Sequence, residues 1–117
     1  MNITELKKGD RRIEIAFEGF QEGNSIVYEN VLLQKNREGG LDINSYPDFT
    51  NPSHVNADMA KEGIARSKKV VEVLCKNNPE YQQMISVAEK QYYYCIDYHT
   101  GAYAIAKEIG GEFQWLG

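Results

Sequence analysis

The residues of this chain best suited to acid–base chemistry or metal binding are two histidines and two aspartates, His54, Asp58, Asp97 and His99. If the second half of the chain forms two antiparallel helices that turn near Asn77, both histidines lie about 22 residues from the turn and therefore at one level. Two imidazoles and a carboxylate can hold a metal ion or transfer a proton. Asp97 falls on the outer side of the predicted packing stripe, however, which favours a capping His54 and a hydrogen-bonded core His99 instead. No metal site is predicted.

The two cysteines, Cys75 and Cys95, are the candidate nucleophiles. The same helical hairpin would separate them by roughly 20 Å along the helix axes, which is too far for a disulfide. Buried free thiols are therefore predicted. The sequence contains no glycine-rich phosphate loop and no HExxH, paired CxxC or GxSxG motif, so neither a cofactor nor a catalytic mechanism is predicted. An enzyme that uses His54, His99 and a nearby carboxylate is one of three functional hypotheses.

Aromatic side chains are concentrated in the last quarter of the chain, which holds seven of its thirteen aromatic residues. These are Tyr92, Tyr93, Tyr94, Tyr98, Tyr103, Phe113 and Trp115. Consecutive tyrosines cannot all face one core, because neighbouring side chains diverge on a helix and point to opposite faces on a strand. Some rings must therefore reach the surface, where tyrosine suits a protein interface or a stacked ligand. Packing against the core is the alternative for the rest.

The candidate binding residues combine these aromatic rings with a histidine and two cations: Tyr92, Tyr93, Tyr94, Tyr98, His99, Tyr103, Trp115, Arg66 and Lys69. Five basic and three acidic residues give positions 51–76 a charge of +2 in a chain of net charge −4. This basic group is suited to an anion, although the interleaved acids favour a solvated helix face. An acidic chain without a strong basic stripe is not expected to bind duplex nucleic acid.

The sequence pattern of the first half of the chain predicts strands. Residues 1–10 are expected to form a helical or irregular lead-in, and the next ten residues, RRIEIAFEGF, alternate apolar and polar side chains as a half-buried strand does. The segment SIVYENVLLQ is rich in β-branched and aromatic residues and predicts a second, central strand. A short third strand at LDI would complete an antiparallel meander.

The sequence pattern of the second half predicts helices. A helix is expected from Asn51-Pro52 to about Lys76, with small and apolar residues at spacings of three and four: Ala57, Ala60, Ile64, Ser67, Val71 and Leu74. Asn78-Pro79 starts the next helix, and the same spacing continues to Ile109 before Gly110-Gly111. One long helix is favoured there. The alternative is a shorter helix, a strand over Tyr92–Tyr98, a turn at Thr100-Gly101 and a final helix.

These elements predict one α+β domain over residues 1–117, in which a small antiparallel meander of two or three strands precedes two helices. The helices are expected to form an antiparallel hairpin packed on the sheet. No apolar run approaches the roughly 20 residues of a membrane helix, and no targeting segment is visible. A cytoplasmic protein with no membrane association is therefore expected.

Two hypotheses stand beside the enzyme. The first is a non-enzymatic interaction protein that binds a protein partner stoichiometrically, as a regulator, adaptor or inhibitor. It would self-associate as a homo-oligomer, because a sheet of only two or three strands leaves its edges exposed. The second is a small-molecule binder that holds a nucleotide-like ligand in a tyrosine-rich pocket at a subunit interface, with Lys or Arg at its phosphates.

Overall fold

A mixed β-sheet with one long helix across it is the central feature of the fold. A computed structural model of the protein describes residues 2–47, 55–87, 89–95 and 104–117. In chain order, these residues form β1 (Ile3–Lys8), β2 (Arg12–Glu22), β3 (Ser25–Lys35), β4 (Leu41–Pro47), α1 (Ala57–Asn77), a 3₁₀ turn (Pro79–Tyr81), α2 (Gln82–Ile85), β5 (Lys90–Cys95), β6 (Ala104–Ile109) and β7 (Glu112–Trp115).

The order of the strands in the sheet is the same as their order along the chain. Neighbouring strands are antiparallel except β4 and β5, which are parallel, with Ile43 opposite Tyr92. Parallel neighbours need a crossover connection, and α1 lies in the segment that joins these two strands. Because α1 packs on β4, β5 and β6, it covers one face of the sheet near its middle.

The main core lies between this face of the sheet and α1. Alternate side chains of β2, β3 and β4 are buried there, as the period of two in their sequences requires. They meet the apolar stripe of α1, and the buried cluster is Ile13, Ile15, Phe17, Val31, Leu33, Leu41, Ile43, Val70, Val71, Leu74, Tyr81 and Ile85. Helix α1 begins at a standard cap, because the Asn56 side chain accepts a hydrogen bond of 2.9 Å from the backbone N–H of Met59.

The alternation of RRIEIAFEGF and the β-branched and aromatic residues of SIVYENVLLQ predicted β2 and β3 correctly, and the antiparallel pairing with the short third strand is confirmed for β2 to β4. The packing stripe of the first helix is also confirmed, since Ala60, Ile64, Ser67, Val71 and Leu74 are buried. The predicted start of that helix at 51–52 lies outside the described residues. Within the described ranges, no helix has both the length and the apolarity that crossing a bilayer requires.

The predicted fold class, two or three strands with a helical hairpin, is wrong. The described residues form seven strands, and the expected long helix after Pro79 is replaced by the 3₁₀ turn, the short α2 and the strands β5 to β7. The aromatic run of β5 pairs with β4 on one side and β6 on the other, so strand propensity and non-local pairing prevail over the helical spacing. The lead-in over residues 1–10 is also corrected, because β1 pairs there with β2.

The predicted helix end at Gly110-Gly111 is a β-hairpin turn. Both glycines have positive φ, 61° and 81°, and Ile109 is opposite Glu112. A two-residue turn with positive φ at both positions is the type that joins antiparallel strands, and glycine adopts it without strain. The same dipeptide suits a helix end or a hairpin, and the strands on either side decide between them.

Candidate ligand-binding groove

A groove of about 500 Å³ runs between the second half of α1, the short α2 and the start of β5. This volume lies in the range of pockets that enclose small organic ligands. Its lining residues come from three elements and the adjoining turn: Lys68, Val71, Glu72, Cys75, Lys76, Gln82, Ile85, Ser86, Lys90 and Tyr92. One chain supplies all of them.

The groove follows from the way α1 ends and the chain turns back. Helix α1 ends at Asn77, and Pro79 stands at the first position of the 3₁₀ turn, where its missing N–H is not needed. The following turn of α2 buries Ile85, which joins the core beside Val71. The chain then enters β5, and the space left between α1, α2 and the first residues of β5 is the groove.

Positive charge predominates in the lining, which has three lysines and one carboxylate, Glu72. Lys68 forms an ion pair with Glu108 of β6. Neither Lys76 nor Lys90 forms an ion pair with any described residue. Two ammonium groups therefore remain for an anion, beside the side chain of Gln82, which can donate hydrogen bonds.

The other part of the groove is apolar and has one aromatic wall. Val71 and Ile85 are 6% and 5% exposed, and the half-buried Tyr92 packs against both core clusters. The Nζ of Lys68 lies 4.9 Å from the centre of the Tyr92 ring, a cation–π contact that orients the ring. Burial, and the nearby carboxylates Glu108 and Glu72, raise the pKa of Tyr92, so its hydroxyl stays protonated at neutral pH.

The thiol of Cys75 lines the groove but is not activated. Burial raises its pKa, against an opposing effect of Lys90, so the thiol is protonated at neutral pH and is a weak nucleophile. Cys95 is buried, and burial raises its pKa to about 12. Both thiols are free. In the part of the chain that the structure describes, no three His, Cys, Asp or Glu side chains converge as a metal site requires.

The three consecutive tyrosines divide between three environments. Tyr92 lines the groove, and Tyr94 is fully buried against α1, where it packs with Ala60, Ile64, Ile105 and Ala106. Tyr93 points to the opposite face of the sheet, where its hydroxyl donates a 2.6 Å hydrogen bond to Oε1 of Gln91. Tyr92 is therefore the one member of this trio that the groove contains.

Of the remaining predicted binding residues, those that the structure describes do not meet at the groove. Arg66 forms an ion pair with Glu29 of β3, and Lys69 is exposed on α1 and does not line the groove. Trp115 lies on β7 at the edge of the sheet and is 38% exposed. Tyr98, His99 and Tyr103 lie outside the described residues, as do His54 and Asp97 of the acid–base hypothesis.

Sequence reasoning missed most of the groove. Lys76 belonged to the predicted basic group, but Lys90, Gln82, Ile85 and Ser86 carried no signal that connects them to it. They come together because β5 lies parallel to β4 under α1. A prediction of strand rather than helix for the tyrosine run, with α1 as its crossover, would have placed Lys90 and Tyr92 beside the helix.

Comparisons of the chain with protein-family models, with curated proteins and with solved structures find no match to any of them.

Proposed function

We propose that the protein is a non-enzymatic binding protein whose groove holds a small, nucleotide-like organic anion. The ligand has a planar, weakly polar part and one phosphate or similar anionic group. The observation that carries the proposal is the combination, in one groove of about 500 Å³, of an apolar aromatic wall and two lysines that form no ion pair with any residue the structure describes. A cytoplasmic location, expected from the sequence, is part of the proposal.

The charge of the lining supports an anion as the ligand. The whole chain has a net charge of −4, so a local excess of lysine stands out against the rest of the molecule. Lys76 is in the last turn of α1, where the helix dipole favours a cation. Its side chain is exposed, so its ammonium group can face solvent or a ligand. A phosphate between Lys76 and Lys90 would gain two charge-assisted hydrogen bonds.

The aromatic wall supports a planar group on the same ligand. Tyr92 is held in place by Lys68 and by its position in a paired strand, so its ring is a fixed surface. Val71 and Ile85 line the groove beside it, and apolar surface buried by a ligand contributes about 25 cal/mol per Å². A nucleoside monophosphate has both parts and fits the available volume.

Isothermal titration calorimetry with adenosine 5′-monophosphate, adenosine and inorganic phosphate tests this function at low salt. We expect the monophosphate to bind at least tenfold more tightly than either fragment, because only the whole ligand uses both parts of the groove. The double variant Lys76→Gln/Lys90→Gln should weaken its binding at least tenfold, which corresponds to 1.4 kcal/mol.

Lys69→Gln is the matched control, because Lys69 is an exposed lysine of the same helix outside the groove lining. It should leave the affinity unchanged, while added salt should weaken binding to the wild-type protein. The proposal fails if none of the probes binds at millimolar concentration. It also fails if the double variant Lys76→Gln/Lys90→Gln binds the monophosphate as tightly as the Lys69→Gln control does.

A second candidate function is stoichiometric binding of a protein partner by a self-associating protein. The observation that favours it is the set of large apolar side chains exposed at and beside β7, which are Ile109, Trp115 and Leu116. Exposed aromatic and aliphatic residues at a sheet edge are typical of interaction surfaces. A pull-down with immobilised protein, compared with the Trp115→Lys variant, would detect a partner that uses this surface.

A further inference from the structure

The two outer strands of the sheet differ in how they are protected from other chains. The edge strand β1 has exposed lysines at positions 7 and 8, and its register shifts between Ile3 and Glu5. Charged side chains and bulges are the usual protection of a sheet edge. The opposite edge strand, β7, has Glu112 as its one charged residue, and exposed Trp115 and Leu116 at its end.

The backbone groups that β7 presents to solvent can be identified from its hairpin with β6. The two-residue turn makes Ile109 and Glu112 a hydrogen-bonded pair, and the bond from the Leu116 N–H to the Ile105 carbonyl, 2.8 Å, continues the same alternation. Residues 112, 114 and 116 therefore direct their N–H and C=O groups to β6. Phe113 and Trp115 direct theirs outward, where no other described strand pairs with them.

The outward N–H and C=O groups of Phe113 and Trp115 match those of a second copy of the strand in one antiparallel register. With Gln114 opposite the partner's Gln114, each Phe113 is opposite the partner's Trp115, and every outward N–H and C=O finds an acceptor or donor. A shift by two residues in either direction brings Gly111 or Gly117 into the pairing. Both have positive φ, 81° and 125°, and do not continue a strand.

The side chains also suit this register. Phe113 and Trp115 lie on the face of the sheet that α1 covers, so each two-fold pair places an aromatic ring beside an aromatic ring. Glu112 is opposite the partner's Leu116, and the two Glu112 carboxylates stand about 14 Å apart, beyond the screening length at physiological salt. No like charges face each other across the pair.

We propose that β7 is a self-complementary interface through which two copies of this chain form a two-fold dimer with one continuous sheet. The interface is independent of the groove, because no residue of β7 lines it. Helix α1 reaches β7 through Lys61, whose Nζ lies 5.1 Å from the centre of the Phe113 ring, and the outward backbone groups of β7 pair with no other described strand.

Site-specific disulfide cross-linking tests both the dimer and its register. Gln114 sits on the two-fold axis in a non-hydrogen-bonded pair, where the two Cβ atoms are close enough for a disulfide. Gln114→Cys should therefore form a covalent dimer under mild oxidation, at least tenfold faster than Glu112→Cys, whose two thiols would lie far apart. The wild-type protein, with Cys75 and Cys95, gives the background rate.

Light scattering after size exclusion gives the second measurement. The wild-type protein should show twice its chain mass of 13.3 kDa at tens of micromolar, and Trp115→Lys should raise the dissociation constant at least tenfold. Leu6→Lys is the matched control, because Leu6 lies on the opposite edge strand β1 and is 38% exposed, as Trp115 is, and this variant should keep the dimer intact. A monomeric wild type, or equal cross-linking at positions 112 and 114, would overturn the proposal.

Discussion

The two flanks of helix α1 both carry basic side chains, but one flank is sealed and the other is open. On the flank towards β3, Arg66 donates hydrogen bonds of 3.0 and 2.5 Å to Oε1 of the fully buried Glu29, and its guanidinium lies 5.0 Å from the centre of the Phe20 ring. On the flank towards β5, Lys76 and Lys90 line a groove and have no ion-pair partner among the described residues.

Two glycines lie in close contact with buried side chains near Arg66. A Cβ at Gly19 would lie 2.5 Å from Cγ of Glu29, and a Cβ at Gly63 would lie 2.1 Å from Cε2 of Tyr94. The Glu29 side chain therefore packs directly on the backbone of β2, and α1 packs directly on the Tyr94 ring of β5. The basic residues of one helix therefore have different roles according to their flank: Arg66 compensates a buried carboxylate, whereas Lys76 remains available to a ligand.

Removing the Arg66 guanidinium has the largest expected effect. Arg66→Met leaves Glu29 buried without its counter-ion, and breaking such a pair costs about 3 kcal/mol of the free energy of unfolding at neutral pH. Lys68→Met is the matched control on the open flank, where the ion pair with Glu108 is partly exposed and contributes at most about 1 kcal/mol. Urea denaturation of both variants measures the difference, and equal losses would contradict it.

The cost of Arg66→Met should depend on pH. Burial raises the pKa of Glu29 above its ordinary value of 4.5, and Arg66 opposes that effect, so the variant has the higher pKa. A carboxyl with a raised pKa in the folded state binds a proton there before it does in the unfolded chain, so the stability it contributes increases as the pH falls towards 4.5. The deficit of the variant should therefore be smaller at pH 5 than at pH 7.5, and a constant deficit would refute this explanation.

Gly63→Ala should have the next largest effect. The added methyl group overlaps the ring of Tyr94, which is fully buried and has no space to move. Overpacking of this kind costs about 3 kcal/mol, and the better helix propensity of alanine returns about 1 kcal/mol, which leaves a net loss of roughly 2 kcal/mol. The same change in a Tyr94→Leu background should cost less. A more stable Gly63→Ala protein would show that the contact between α1 and Tyr94 is not tightly packed.

Tyr94→Phe should have the smallest effect. The Tyr94 hydroxyl is buried without a hydrogen-bond partner among the described residues, so its removal should leave stability unchanged or raise it by up to about 1 kcal/mol. Tyr93→Phe is the control, because it removes a hydroxyl that donates to Gln91, and it should lose about 0.5–1 kcal/mol. A large loss from Tyr94→Phe would reveal a partner for its hydroxyl. Thermal denaturation of both variants gives the comparison.

The sequence was informative where structure is local. The alternation from Arg12 to Phe17 and the stripe from Ala60 to Leu74 predicted β2 and the buried face of α1, because each pattern reflects one element against one core. Over residues 79–109 the sequence pattern wrongly predicted one long helix. Apolar residues occur there by chance at spacings of three and four, although the segment contains the strands β5 and β6. The pairing of β4 with β5 joins positions about 50 residues apart, and local propensity contains no information about such contacts.

The same limit applies to the two flanks of α1. The predicted basic group contained both Arg66 and Lys76, and nothing in their spacing told which of them would meet a carboxylate. Glu29 looks like one more polar residue of an alternating strand, yet it is fully buried, where it packs on the Gly19 backbone beside a β-bulge and forms an ion pair with Arg66. Only the assembled sheet and helix separate the structural cation from those that line the groove.

The most direct test of the open flank is a titration of ¹⁵N-labelled protein with adenosine 5′-monophosphate, followed through the backbone amide resonances. We expect concentration-dependent shifts for the amides of Val71 to Lys76, Ser86 and Lys90 to Tyr92, with the amides of Glu29 and Arg66 unchanged. Shifts centred on Glu29 and Arg66, or no shifts at millimolar ligand, would contradict the assignment of the ligand site to the groove.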